Sequence, residues 1–330
     1  MEEIYIDPML EKEKAAKRAY SLVGFALLVF IAASYGVQFF ARTLVELFFP
    51  ALMETQWYMW ALSILPLYLV GLPLSLIFFL QVRAGKPVGG LLSPAAYAGT
   101  FPVTIVLMYA GSYIATFILN FLSIFRGEAL GGQVSQMILE NSSTIWAFLA
   151  TVVVAPIMEE LITRKMVMDR LAPYGVWPAA LFSGVAFGMI HGNLEQFFYA
   201  FFLGTFFALI YAKSGRILYT ILLHAAVNFM GSVIAPAVLN GVDLAMLETD
   251  DPQIILEYVA GGGLQNLVPL LAYVGIMLGL AGTGLVLLFA FGKKFLPKRG
   301  PEKASRYFAN PGVIIFLVCT LALMLFATFF

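Results

Sequence analysis

The chain has 330 residues, of which 61% are hydrophobic and 12% are charged. Soluble domains carry roughly 25% charged residues, so this composition excludes an ordinary soluble protein. The formal net charge is zero, and we therefore expect no nucleic-acid partner. Cys319 is the only cysteine, which excludes an intramolecular disulfide and a Cys-x-x-Cys metal site.

Apolar blocks of about 20 residues recur along the chain, as expected for membrane-spanning helices. The predicted fold class is therefore all-α: a polytopic transmembrane helical bundle of about nine spans, or eight if the short fifth segment does not cross the bilayer. The predicted spans lie at about 20–41, 57–82, 98–125, 144–163, 176–191, 195–213, 216–238, 264–292 and 311–330. The first is too long for the apolar region of a cleavable signal peptide, so we expect it to be retained.

The distribution of basic residues predicts the orientation of the chain. If the N-terminus is cytoplasmic, every one of the 19 lysine and arginine residues except Arg42 and Arg126 falls on the cytoplasmic side. Cytoplasmic loops carry an excess of these residues, so the alternation supports the span count. The basic loop at 293–306 is the usual topology signal or, alternatively, a contact for anionic lipid. We expect a multi-pass protein of the cell membrane, embedded in the lipid bilayer.

The fourth span carries charge where a membrane helix is normally apolar. Its sequence APIMEELITRK places Glu159 and Glu160 side by side, with Arg164 one turn later. Residues i and i+4 share a helix face, so we predict that Glu160 pairs with Arg164 and that Glu159 needs another partner. The alternative is that both carboxylates reach the cytoplasmic interface. The helix should continue to about Leu171, because Pro173 follows.

Two further motifs each contain one of the two histidines of the chain. Phe187 and His191 lie one turn apart in FGMIH, and His224 and Asn228 lie one turn apart in HAAVN. Read separately, His191 would simply end a helix, and His224 with Asn228 would join neighbouring helices by hydrogen bonds. Ionisable side chains inside a membrane are functional candidates, so we predict that both motifs and the carboxylates converge on one polar cavity. We expect this cavity to be reached from the cytoplasmic half of the membrane.

Other polar residues near these motifs have simpler explanations. We interpret Asn193 and Glu195 as a hairpin turn and a helix start rather than as part of the site. Ser183 lies about two turns from His191, so we do not expect a serine nucleophile.

Together, the motifs resemble the CAAX protease and bacteriocin-processing family, which includes type II CAAX prenyl endopeptidases and abortive-infection-like proteins. The residues that carry the resemblance are, in chain order, Glu159, Glu160, Arg164, Phe187, His191, His224 and Asn228. Each motif is weak alone, whereas the ordered set on membrane helices is specific. The resemblance implies a protease core at 140–235. Membrane helices at 1–139, with a cytoplasmic N-terminus, precede this core. An extracytoplasmic acidic loop and C-terminal membrane helices at 236–330 follow it.

The resemblance implies an intramembrane endopeptidase that attacks peptide bonds with an activated water. By motif, Glu159 would act as general base with the help of His191. His224 and Asn228 would stabilise the oxyanion. Supporting roles would fall to Glu160, Arg164 and Phe187. Peptide hydrolysis needs an activated water and donors for the developing negative charge, and these residue types supply both.

A metal ion is a second option for the same residues. Glu159, His191 and His224 would then be the ligands of a divalent ion such as zinc, although the His-Glu-x-x-His helix pattern is missing. We favour a metal-free mechanism, because Asn228 is a poor zinc ligand and a good hydrogen-bond donor. The expected substrates are membrane-associated peptides or protein tails, either prenylated CAAX-type tails or bacteriocin-like leader peptides.

Two other functions remain open on the sequence. A proton-coupled transporter would use the same Glu, His and Asn side chains as a proton relay, but no inverted repeat is evident. A non-catalytic immunity protein would sequester a peptide in the cavity without cleaving it.

Overall fold

The computed structural model describes residues 8–87, 89–141, 145–240, 242, 249–298, 300 and 304–329. Within these residues the chain is helical, with no strands, and eight helices are long and apolar enough to cross a membrane. The helices are α1 (Pro8–Phe48), α2 (Gln56–Phe79), α3 (Pro94–Arg126), α4 (Gln133–Asn141), α5 (Ile145–Tyr174), α6 (Val176–Ile190), α7 (Leu194–Ser214), α8 (Ile217–Leu239), α9 (Pro252–Ala260), α10 (Gly263–Phe295), α11 (Ala304–Phe308) and α12 (Pro311–Phe329). The predicted all-α, multi-pass fold is confirmed.

The short fifth segment of the prediction is α6. Its 15 residues give a helix of about 22 Å at 1.5 Å per residue. This is shorter than the roughly 30 Å hydrocarbon core of a bilayer. The eight longer helices and α6 therefore account for the nine predicted apolar segments of the described chain.

The start of α1 and the end of α5 both lie in charged segments of the sequence. The helix α1 begins at Pro8 rather than near Tyr20. Ion pairs at i,i+3 and i,i+4 join Glu11 to Lys14 and Glu13 to Lys17, each at 3.0 Å, and extend helical stability into this polar segment. The predicted end of the fourth span is confirmed, since α-helix gives way after Leu171 to a 3₁₀ turn.

The acidic loop is only partly described. Asp243 and Glu248 lie outside the described residues. Asp251 caps α9 by accepting a hydrogen bond from the backbone N–H of Gln253 at 2.9 Å.

The helix α7 lies at the centre of the bundle and packs against both α6 and α3. Glycines allow these close approaches. A Cβ on Gly204 would lie 2.9 Å from Phe187 Cβ, and a Cβ on Gly111 would lie 2.3 Å from Tyr199 Cα. Small residues at helix interfaces let membrane helices approach closely. The contacts hold Phe187 and Tyr199 in fixed positions beside the polar residues of α5 and α8.

Three of the membrane helices share a local irregularity. In α2, α5 and α8 a π-helical segment ends two residues before a proline. These segments and their prolines are Leu67–Gly71 with Pro73, Leu149–Val154 with Pro156, and Met230–Ile234 with Pro236. In a π-helix, each N–H bonds to the carbonyl five residues earlier. Because proline has no N–H, the carbonyl five residues before each of these prolines can accept a hydrogen bond from another donor.

Candidate active site

The charge pair of the fourth span is completely buried. Arg164 Nε and Nη2 donate to the two carboxylate oxygens of Glu160 at 2.7 and 3.1 Å, and neither side chain is exposed. Arg164 Nη1 donates to Ser183 Oγ at 2.7 Å, and that hydroxyl donates to Thr163 O at 3.1 Å. A bidentate pair with further hydrogen bonds offsets the cost of burying two charges. The predicted pairing is confirmed, and Ser183 holds the arginine in place.

The neighbouring carboxylate, Glu159, has a different environment. Its side chain is 20% exposed, whereas that of Glu160 has no exposure at all. Glu159 Oε2 lies 3.7 Å from Nε2 of His224, which belongs to α8. Glu159 is therefore partly exposed, whereas Glu160 is enclosed by protein. His224 lies within ion-pair distance of Glu159, and the placement of Glu159 toward His191 and a water stays a prediction.

The ring of His224 lies between the two carboxylates. Its Nδ1 is 3.3 Å from Glu160 Oε1, while its Nε2 faces Glu159. Nδ1 is buried and has no aligned hydrogen-bond partner, so we treat the 3.3 Å approach as an electrostatic contact. The ring is also fixed by an edge-on contact with Phe187, with 5.4 Å between ring centroids. Both nitrogens of the buried imidazole are thereby oriented.

His191 ends α6 and is held by its own helix. Its Nδ1 lies 2.7 Å from the backbone oxygen of Phe187. A carbonyl oxygen only accepts, so we assign the proton to Nδ1, which leaves Nε2 as an acceptor. The Phe187 ring makes edge-on contacts with both histidines, at 4.9 Å from His191 and 5.4 Å from His224. Phe187 therefore packs at the site, as the motif implied.

Asn228 is anchored by the irregular backbone of α5. In the π segment before Pro156, the N–H of Ala155 bonds to Ala150 O. The next carbonyl, Thr151 O, would pair with residue 156, but proline has no N–H to give. Asn228 Nδ2 donates to this Thr151 oxygen at 2.7 Å. The proline thus creates the acceptor that fixes the asparagine amide.

Two hydroxyl groups reinforce this link between α5 and α8. Ser232 Oγ donates to Asn228 O at 2.5 Å, and it lies 2.8 Å from the Thr151 hydroxyl. Sequence reasoning missed both Thr151 and Ser232. A signal was present, because Pro156 inside a membrane helix implies a free carbonyl about one turn earlier.

The chain between α6 and α7 forms a turn, and α7 starts directly after Asn193, as predicted. Asn193 Oδ1 accepts from the N–H of Gln196 at 2.9 Å and caps α7. Gly192, with φ of 67°, provides the left-handed conformation that the turn requires. A cavity of about 460 Å³ lies beside this turn and is lined in part by Tyr199, whose ring centroid is 6.4 Å from that of His191. Sequence reasoning also missed Tyr199.

This cavity is not lined by Glu159, His191, His224 or Asn228. Its walls come from the C-terminal half of α3, the loop before α4, and the first turns of α7. These elements lie at the end of the bundle opposite the turn that joins α7 to α8. That turn carries Lys213 and Arg216 and is cytoplasmic under the predicted orientation. Under that predicted orientation this cavity lies toward the end of the bundle away from the cytoplasm, and the cytoplasmic entrance to the catalytic cavity stays a prediction.

The donor set does not fit a metal centre. Among the described residues, which include Glu159, His191 and His224, no three His, Cys, Asp or Glu side chains are grouped as metal ligands would be. Zinc in catalytic sites takes three protein ligands at about 2.0–2.3 Å that converge on one point. We therefore derive no reaction step through a metal.

The part of the chain that contains these residues is similar in sequence to known proteins. Residues 141–230 match the family described as type II CAAX prenyl endopeptidase Rce1-like. The protein named "Putative membrane peptidase YdiL" from Bacillus subtilis (strain 168) is 35% identical over 77 residues, which make up 23% of this chain. The match covers 32% of that relative, so the chain spans about a third of its length. No solved structure matches the chain.

Proposed function

We propose that the chain is an intramembrane endopeptidase of the CAAX protease and bacteriocin-processing family, because residues 141–230 match the Rce1-like type II CAAX prenyl endopeptidase family. The observation that carries the proposal is the contrast between two adjacent carboxylates. Glu160 is paired with Arg164 and buried, whereas Glu159 is partly exposed and lies beside His224. A base that must meet water has to be the accessible one.

Glu159 is the general base in this proposal. It takes a proton from a water molecule, whose oxygen attacks the carbonyl carbon of the scissile peptide bond. His191 assists, since its Nε2 is available to accept the second proton of the same water as a hydrogen bond. No serine or cysteine nucleophile is required.

The oxyanion of the tetrahedral intermediate is stabilised from α8. His224 and Asn228 lie one turn apart and share a face of this helix. One hydrogen of the Asn228 amide is used on Thr151 O, and the amide has a second hydrogen to donate. The imidazolium form of His224, with a hydrogen on each ring nitrogen, would donate from Nε2 on the side that faces Glu159 while Nδ1–H faces the Glu160 carboxylate. Such preorganised donors stabilise negative charge strongly where water is scarce.

Collapse of the intermediate completes the reaction. The carbon–nitrogen bond breaks, and the proton held by Glu159 passes to the departing nitrogen. The products are a new carboxylate and a new amine, and one water molecule is consumed. Glu159 returns to its ionised form, and the proposed reaction involves no cofactor and no oxidation or reduction.

The proposed substrates are membrane-associated peptides or protein tails, of the prenylated CAAX type or the bacteriocin-leader type. A site between membrane helices selects chains that partition into the bilayer. We also propose that the protein resides in the cell membrane with its N-terminus in the cytoplasm, on the basis of the basic-residue distribution.

The test is cleavage of a membrane-peptide library by the purified full chain in proteoliposomes. We expect wild-type protein to cleave a subset of peptides and Glu159→Gln to lose this activity by about 10²–10⁴-fold. Glu257→Gln is the matched control, because Glu257 is exposed on α9. Full activity in Glu159→Gln would contradict the mechanism. Peptide uptake without cleavage would favour a transporter, and tight retention without cleavage would favour a sequestering protein.

A further inference from the structure

The cavity beside His191 has a polar lining that the proposed chemistry does not use. Its volume is about 460 Å³, within the range of sites that hold a small ligand. Polar side chains line it from three directions: Ser112, Thr116, Asn120, Ser135, Glu195 and Tyr199. A lining of this kind inside a membrane bundle is costly unless it faces water or a polar ligand.

A chain of hydrogen bonds connects this cavity to the catalytic histidine. Tyr199 Oη accepts from Gln196 Nε2 at 2.7 Å, and Gln196 Oε1 accepts from Asn193 Nδ2 at 2.7 Å. The same Asn193 nitrogen donates to His191 O at 2.9 Å. A residue of an extended peptide spans about 3.3–3.6 Å. The Tyr199 ring, which lines the cavity, is 6.4 Å from the His191 ring between centroids, a distance that an extended peptide covers in about two residues.

Glu195 gives the cavity its charge. It is the only acidic or basic side chain among the lining residues. Its Oε1 accepts from the backbone N–H of Gln133 at 3.1 Å, which fixes the carboxylate at the start of α4. A carboxylate has about four lone-pair positions, so this bond leaves it able to accept from a ligand as well. A carboxylate held in place at the wall of a cavity attracts a cation and repels an anion.

We propose that this cavity is a substrate subsite that takes a lysine or arginine side chain next to the scissile bond, with Glu195 as the residue that selects it. The inference rests on the proposed peptidase function and narrows its substrate class to peptides with a basic residue near the cleavage point. Gly131 lies against Glu195, since a Cβ on it would be 3.6 Å from Oε1, whereas a Cβ on Gly132 would meet no atom within 4 Å, so the open space for a ligand side chain lies beside Gly132.

The experiment compares paired peptides that differ at one position, with lysine or its uncharged counterpart norleucine, at each of three positions on either side of the cleavage point. The measured quantity is the ratio of kcat/KM for the two peptides. For wild-type protein we expect a preference for lysine of about tenfold or more at one position. Glu195→Gln should reduce that preference to near unity. It retains an acceptor for the Gln133 N–H, so loss of the helix cap does not explain the change.

Charge reversal separates selection from structural support. Glu195→Lys should prefer glutamate over glutamine at the same position, an inversion that a merely structural residue would not produce. Glu128→Gln is the control, because Glu128 is an exposed carboxylate in the neighbouring loop. It should keep the wild-type preference.

The outcomes distinguish the two proposals. Cleavage by wild-type protein with no lysine preference at any position, or with the same preference in Glu195→Gln, overturns the subsite and leaves the peptidase proposal intact. Absence of cleavage of every peptide overturns the peptidase proposal and the subsite with it.

Discussion

Glu159 and Glu160 are adjacent in the chain, yet their surroundings give them different chemistry. Glu160 is enclosed with Arg164 and Ser183 and has no exposure. Glu159 faces His224 from a partly exposed position. The same side chain is thus a structural ion in one place and a reactive base in the other. Access to water and the presence of a compensating cation decide the difference, and each can be changed separately.

The largest expected effect is loss of stability when the structural pair is broken. Arg164→Leu leaves the Glu160 carboxylate buried without its cation, which should cost about 3–5 kcal/mol of unfolding free energy. Thermal unfolding in detergent, followed by circular dichroism, measures the change. The double variant Glu160→Leu/Arg164→Leu should be more stable than the single one, because it removes the uncompensated charge. An unchanged melting temperature in Arg164→Leu would show that the pair does not support the fold.

Removal of the proposed oxyanion donor should affect catalysis more than folding. Asn228→Ala should lower kcat by about 10²–10³-fold, the usual effect of losing one such donor. The helix α8 offers a matched control in Asn240→Ala, since Asn240 is exposed near its other end. If a fall in melting temperature fully accounts for the lost activity, Asn228 stabilises the fold through its hydrogen bond to Thr151 O and does not stabilise the oxyanion.

A smaller effect is expected at the third member of the structural cluster. Ser183→Ala removes the acceptor of Arg164 Nη1 and should cost about 1–3 kcal/mol of unfolding free energy. The activity of the folded fraction should stay close to wild type, because the hydroxyl does not act as a nucleophile. Ser63→Ala, an exposed serine that bonds within its own helix, is the control. Loss of all activity without loss of stability would argue for a direct chemical role.

No effect is expected from metal removal. Because the donor set does not fit zinc, a chelator should leave the cleavage rate unchanged, and metal analysis of the purified protein should find substoichiometric zinc. Cleavage that stops with chelator and returns with added zinc would contradict the metal-free proposal.

Contacts within a single helix were predicted from the sequence more accurately than contacts between helices. The pairing of Glu160 with Arg164 follows from the i,i+4 geometry of one helix, and the structure has it. The partner of Glu159 depends on how α5, α6 and α8 are rotated against each other. The contact of Glu159 with His224 was not predicted from the sequence, and the placement of Glu159 toward His191 and a water stays a prediction. Helix rotation is set by side-chain packing, which periodicity alone does not determine.

The position of the cavity could not be predicted for a similar reason. It forms where α3, the loop before α4, and α7 meet, and these elements are distant in sequence. The contact of Gly111 with Tyr199 that brings α3 against α7 has no recognisable motif. By contrast, the cap at Asn193 is a local signal, and its role in starting α7 was predicted.

The most direct test of the account is a side-by-side measurement of Glu159→Gln and Glu160→Gln. Single-turnover cleavage and the melting temperature are measured for both variants in the same proteoliposome and detergent preparations. The account predicts that Glu159→Gln melts like wild-type protein and does not cleave. It also predicts that Glu160→Gln is clearly less stable, because Arg164 is left without its anion. Cleavage by a stable Glu159→Gln, or loss of stability in Glu159→Gln with none in Glu160→Gln, would contradict it.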